Sequence, residues 1–120
     1  MNRRILIIII LTAGCLSQVY TEEEAVQIAE DYIRNAPTFK YDGIRRTLAV
    51  TGVEPLECEG CFEVTVEFSS KYPGYGIRDP YFLIQKVTPH IAKVRVERGE
   101  VTQAILDEIW DEMAQESIVE

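Results

Sequence analysis

Across this chain the apolar residues change their spacing once, from the 3.6-residue period of a helix to the two-residue period of a strand. Ala25, Ile28, Ala29, Tyr32 and Ala36 recur at helical spacing, and Val26 and Ile33 widen the stripe. Thr21-Glu22-Glu23-Glu24 reads as a capping box that opens this helix, and Pro37 closes it, which predicts a helix over 22–35. From there the pattern is that of strands. Arg46 to Val53 is β-branched, and Phe62, Val64, Val66 and Phe68 alternate with Glu63, Thr65, Glu67 and Ser69. Tyr81 to Thr88 reads as a strand that stops at Pro89. Ala92, Val94 and Val96 alternate with Lys93, Arg95 and Glu97. Arg98-Gly99 is a tight turn, after which Val101 to Leu106 returns as a hairpin partner.

Ile105, Leu106, Ile109, Trp110 and Met113 return to helical spacing and predict a short second helix over 107–115. Asp107, Glu108, Asp111, Glu112 and Glu116 would form its solvated face. The expected fold is therefore α+β, an N-terminal helix packed on a curved antiparallel sheet of four to five strands, with a short C-terminal helix. If the strands at 62–69 and 92–97 are neighbours, Glu63 and Glu67 can pair with Lys93 and Arg95 across the sheet.

The first residues follow a different logic. Asn2-Arg3-Arg4 is a basic start, Ile5 to Leu11 is an unbroken apolar run, and Ala13-Gly14-Cys15 follows. A charged head, a short apolar core and small residues before a cut describe an export signal. The run resembles a bacterial-type lipoprotein signal, which implies cleavage before Cys15 and acylation of its thiol. Cleavage that leaves a free secreted protein, and an uncleaved membrane anchor, are the other two readings. As an anchor the segment is short: Ile5 to Tyr20 spans roughly 24 Å as a helix against a hydrocarbon core of ~30 Å. Residues 1–14 are thus expected to be signal, 15–21 tether, and 22–120 one domain. The expected location is the extracytoplasmic face of the cell membrane, held by a lipid or a hydrophobic segment.

The whole chain carries 20 acidic and 12 basic residues, a net charge of −8. Loss of Arg3 and Arg4 with the signal leaves 10 basic residues against the same 20 acids, which makes −10. Such a charge repels phosphate backbones, so no nucleic-acid partner is expected. An apolar content of 47% is too high for a disordered acidic tail.

Chemistry could sit in three places. Cys58-Glu59-Gly60-Cys61 is the first, read as a loop-stapling disulfide, a redox dithiol, or half of a zinc site with His90 as third ligand. Glu57, Glu59 and Glu63 around the pair oppose thiolate formation. His90 is the second, a turn histidine with no serine or carboxylate at a recognisable offset. The third is the Gly/Pro-rich loop from Lys71 to Tyr81, where Tyr72, Tyr75, Arg78 and Tyr81 are candidate binding residues. The alternative for that loop is a hairpin connection whose tyrosines fold back on the sheet. No catalytic motif is present, and no cofactor is expected apart from the zinc that the Cys58, Cys61 and His90 reading would bring.

Glu24-Ala25-Val26-Gln27-Ile28-Ala29, Phe62-Glu63-Val64-Thr65-Val66 and Ala92-Lys93-Val94-Arg95-Val96 through Gly99-Glu100-Val101 resemble the PepSY-like and cystatin-like exported domains. Cys58-Glu59-Gly60-Cys61-Phe62-Glu63 and Thr88-Pro89-His90 are similar to stretches in small prokaryotic exported lipoproteins, a likeness that implies no activity. The expected function is a membrane-tethered extracytoplasmic binding module without catalysis, for a peptide or an envelope protein. By the PepSY-like resemblance that protein would be a protease. The alternative is a metal- or thiol-handling protein using Cys58, Cys61 and His90.

Overall fold

The computed structural model describes residues 19–79 and 84–119. The expected signal, Cys15 and Tyr81 lie outside the described residues. Helix α1 spans Glu22–Asn35, the range its apolar spacing predicts. Its first turn is the capping box: Glu24 N–H donates to Thr21 Oγ1 at 3.1 Å, and Thr21 N–H donates to Glu24 Oε1 at 3.3 Å. Ala25, Ala29 and Ile33 are the buried positions, one per turn. Two of the three are alanines, so the helix backbone lies close on the sheet while Val26, Ile28 and Tyr32 flank the seam half-buried.

Pro37 ends α1 as expected, and it also opens a short helix α2, Pro37–Asp42, at the position where a missing N–H costs nothing. A 3₁₀ turn, Arg45–Thr47, leads into the sheet. Among the described residues the sheet has six strands in the order β1-β2-β3-β4-β5-β6, each antiparallel to the next. They are β1 Ala49–Pro55, β2 Cys61–Ser70, β3 Thr88–Glu97, β4 Glu100–Leu106, β5 Trp110–Asp111 and β6 Glu116–Ser117. Strands β2 and β3 pair from Cys61 opposite Glu97 to Ser70 opposite Thr88. Their even-numbered side chains face α1, so Val64, Val66, Phe68, Ala92, Val94 and Val96 form the core with Ala104 and Leu106 of β4. Phe39 of α2 closes one end of that core edge-on to Phe68, ring centroids 5.2 Å apart.

The α+β architecture and the tight turn at Arg98-Gly99 are as expected, but the sheet has six strands among the described residues instead of four to five, and other parts differ as well. The β3–β4 turn is Arg98-Gly99, with φ of 47° and 87°, the double left-handed geometry that suits the twist of a hairpin. The strand expected over Tyr81 to Thr88 is not formed at 84–87; β3 begins at Thr88 and runs through Pro89 instead of starting after it. Ile91, two residues on, turns its N–H away from β2 toward Asp107. Pro89 shares that direction, on the side where β4 has already ended, so its missing N–H removes no ladder bond. The first strand begins at Ala49 rather than Arg46, because Arg45–Thr47 takes up the preceding turn. Arg95 lies opposite Glu63 as expected, but the ion pair it makes is along its own strand, with Glu97 at 3.4 Å.

The expected second helix over 107–115 is replaced by turns and the short strands β5 and β6. Asp107, Glu108 and Gln115 have positive φ, which no right-handed helix admits. Trp110 and Asp111 pair instead with Leu106 and Ile105. Nine residues are too few to separate a helical stripe from alternating turns, and Ile109 and Met113 of that stripe are exposed.

Candidate functional site

The inward-facing positions of β2 and β3 end in polar residues. After Val64, Val66 and Phe68 comes Ser70; before Ala92 comes His90; both are buried. Ser70 Oγ donates to the Tyr72 carbonyl at 2.8 Å and lies 3.3 Å from His90 Nε2. On the other side of the ring, His90 Nδ1–H donates to Asp107 Oδ2 at 2.7 Å, since an ionised carboxylate only accepts. The order serine–histidine–aspartate is that of a hydrolase relay. Here the hydroxyl is 0% exposed, its proton is engaged by Tyr72, and Phe68 lies against the imidazole at 5.2 Å, so no acyl carbon reaches it. The chain of bonds works as a lock on the loop that follows β2.

Asp107 is the centre of that lock. Its carboxylate also accepts from Tyr75 Oη at 2.8 Å and from Ile91 N–H at 2.8 Å. Burial alone would raise its carboxyl, but the hydrogen bonds from His90, Ile91 and Tyr75 outweigh burial and hold it below the ordinary 3.8. Burial, then the bond to Asp107, pushes the Tyr75 phenol well up. Asp107 and Glu108 occupy the two centre positions of the β4–β5 turn at φ 53° and 65°, closed by Ile109 N–H donating to Leu106 O at 3.0 Å. Such turns favour Asn-Gly, and the strain is retained because Asp107 must present its carboxylate here. Glu108 is exposed and joins none of these bonds. Glu108→Gly is therefore expected to stabilise the fold by about 0.5–1 kcal/mol, read as a higher urea midpoint.

Tyr75 stacks on Trp110, centroids 5.3 Å apart and planes at 11°, and its ring centroid also lies 5.2 Å from that of His90. Trp110 Nε1–H donates to Glu112 Oε1 at 3.1 Å. Glu112 is 1% exposed and also accepts from Thr38 N–H at 2.9 Å and Thr38 Oγ1 at 2.6 Å. Residue 36, which caps α2, is an alanine without a side-chain acceptor, and Glu112 supplies one from 74 residues away in sequence. The loop is tied again through Gly76 N–H to Thr38 Oγ1, through Tyr72 N–H to Asp42 Oδ2, and through Arg78, which pairs with Asp42 over the Tyr41 ring.

The residues singled out from the sequence are thus placed as follows. Tyr75 and the Arg78 side chain, 7% exposed, turn inward into these contacts, and Tyr72 is half-buried. Cys58 and Cys61 form a disulfide, Cα atoms 5.4 Å apart. Cys61 sits opposite Glu97 and His90 opposite Phe68, seven residues apart along β3, or about 24 Å. The Cys58, Cys61 and His90 set is therefore not brought together.

Two open features remain. β1 is an edge, with no strand described on its outer side, and its Val50 and Val53, with Leu48 just before it, are only partly covered. Tyr20, where the chain enters the domain, lies against Gly60 and Gly99 beside the disulfide. No helix among the described residues is long and apolar enough to cross a membrane. No family model, curated protein or solved structure matches the chain.

Proposed function

We propose that this protein is a membrane-tethered, extracytoplasmic module that binds an extended peptide segment by adding it as a strand to β1, without catalysis. The observation that carries this reading is the unfinished edge of the core. Val50 and Val53 of β1 point into the apolar seam yet stay half-exposed, and nothing described pairs with the outer side of the strand. An added strand would satisfy the free backbone groups and cover these side chains at once. Seven residues of edge match the length of a short peptide strand. The tether would reach the domain at Tyr20, which puts the disulfide end nearest the membrane and the Ser70–His90–Asp107 end away from it. Capture of an exposed segment of an envelope protease is the version that the PepSY-like resemblance supports.

Panning of a random seven- to nine-residue peptide library on the immobilised protein tests the proposal. Enriched peptides are expected to alternate apolar and polar residues and to protect the amides of 49–55 from hydrogen exchange. Protection confined to other strands, or a library that never enriches, would overturn it.

A further inference from the structure

We propose that reduction of the Cys58–Cys61 disulfide creates a site for one divalent cation of the zinc type, held by the two thiolates and the Glu97 carboxylate. The ligand atoms of Cys58, Cys61 and Glu97 already lie within 4.8 Å of one another. Glu97 reaches this place through the rigid β2–β3 ladder, where it is the residue directly opposite Cys61. Cys58 is brought back by the turn in which Cys61 N–H donates to the Cys58 carbonyl at 3.2 Å. Tetrahedral zinc with thiolate and carboxylate ligands sets its donor atoms roughly 3.5–4 Å apart, so opening the sulfur–sulfur contact is the main movement required.

Charge favours the same assembly. Arg98 donates to the Glu59 carbonyl at 3.3 Å and holds its guanidinium 4.0 Å from Cys61 Sγ. Two thiolates and one carboxylate carry three negative charges, which the ion and Arg98 together neutralise. Arg95 holds one oxygen of Glu97 at 3.4 Å, orienting the carboxylate as partners of ligands commonly do. Three protein ligands leave the fourth position of a tetrahedral ion for water; a cleft of about 270 Å³ lined by Tyr20, Glu59, Gly60 and Arg98 lies beside the turn that carries the cysteines. His90 has no part in the site.

The gate is thiol–disulfide exchange with a dithiol reductant. One of its thiolates attacks Cys58 Sγ, since Cys58 is the less buried of the two cysteines, and Cys61 leaves as a thiolate beside Arg98. The reductant's second thiol then attacks its own sulfur in the mixed disulfide, closes its ring and releases Cys58. Two electrons and two protons pass to the protein, and the protons leave again when the cation binds.

Cobalt titration of the full chain, reduced by a dithiol that is then removed, tests this. One equivalent of Co²⁺ is expected to produce a thiolate-to-cobalt charge-transfer band that Zn²⁺ abolishes, while the oxidised protein gives none. Glu97→Gln is expected to weaken cobalt binding at least tenfold. Joint replacement of Cys58 and Cys61 by serine should remove the band and so exclude Cys15 as its source. Circular dichroism of oxidised Glu97→Gln checks its fold; if that variant fails, Glu97→Asp, which keeps the charge but shortens the reach, is expected to weaken binding instead. A reduced protein without the band, unchanged affinity in the folded Glu97 variant, or a band that survives loss of both cysteines would overturn the site.

Discussion

Replacement of Asp107 by alanine is expected to lower the stability of the folded domain by about 2–4 kcal/mol, out of a total that for a domain of this size is of order 5–15. Three donors lose their acceptor at once: His90 Nδ1–H, the Tyr75 hydroxyl and the Ile91 N–H. The imidazole feels this most, because His90 is 2% exposed and no water replaces the carboxylate. A smaller part comes from the backbone, since φ is 53° here and alanine tolerates that region poorly. Asp107→Asn keeps the shape and a residue that accepts left-handed φ, but it offers one acceptor oxygen in place of two. It should therefore fall between wild type and Asp107→Ala.

The same residue sets an acid limit. Asp107 titrates in the folded state below its ordinary 3.8, so its contribution is complete above that pH and disappears as pH falls through the lower, folded value. Tyr75 sets the opposite limit: its phenol is raised from 10.0, so its contribution is complete below pH 10 and is lost above it as the phenol ionises. Trp110 is the sole tryptophan of the chain and stacks on Tyr75, so its fluorescence reports both transitions. Urea midpoints measured from pH 2.5 to 6 should slope in wild type and flatten in Asp107→Asn. An equal slope in both would mean that the carboxylate is not what holds the loop.

How much of this could be read from residues alone follows from which patterns are long. The helix at 22–35 has four turns of apolar spacing and a capping box, and β2 has eight alternating positions; both emerge with the expected faces. Alternation also extends to the polar ends of β2 and β3. Counting by twos from Val64 and Val94 places Ser70 and His90 on the core face, so the meeting of a buried serine and histidine was within reach of the pattern. Their third partner was not. Asp107 follows the last strand residue, in a stretch whose spacing fits a helix with acids outward, and only the left-handed turn at 107–108 sends it to His90. Glu112 was concealed in the same way. Tyr75 and Arg78 resemble the adaptable residues of a binding loop by composition, and their inward direction depends on Asp107 and Asp42, which lie 32 and 36 residues away from them. Local periodicity carries no information on such contacts.

Glu112 is where that distant wiring should be felt most strongly, with Glu112→Ala expected to cost about 3–5 kcal/mol. The carboxylate is 1% exposed, and among the described residues no lysine, arginine or histidine lies within ion-pair distance of it. What keeps a buried carboxylate there is a full set of neutral donors: Thr38 N–H, the Thr38 hydroxyl and the Trp110 indole. Removing it leaves all three without an acceptor, uncaps α2, and frees the Thr38 hydroxyl from the orientation in which it accepts from Gly76 N–H. The damage should therefore spread from α2 to the loop through Thr38 and to Tyr75 through Trp110. Glu112→Gln separates charge from shape: its volume is nearly the same, but its amide nitrogen cannot accept, so at least one of the three donors faces another donor. A loss of about 1–3 kcal/mol is expected for glutamine, smaller than for alanine and accompanied by a change in Trp110 fluorescence in the native state. Thermal melts of the two variants decide it, since a domain of about 100 residues shifts by roughly 4–8 °C per kcal/mol. A glutamine variant that melts with wild type would mean that shape alone is required at this position and that the carboxylate does not cap α2.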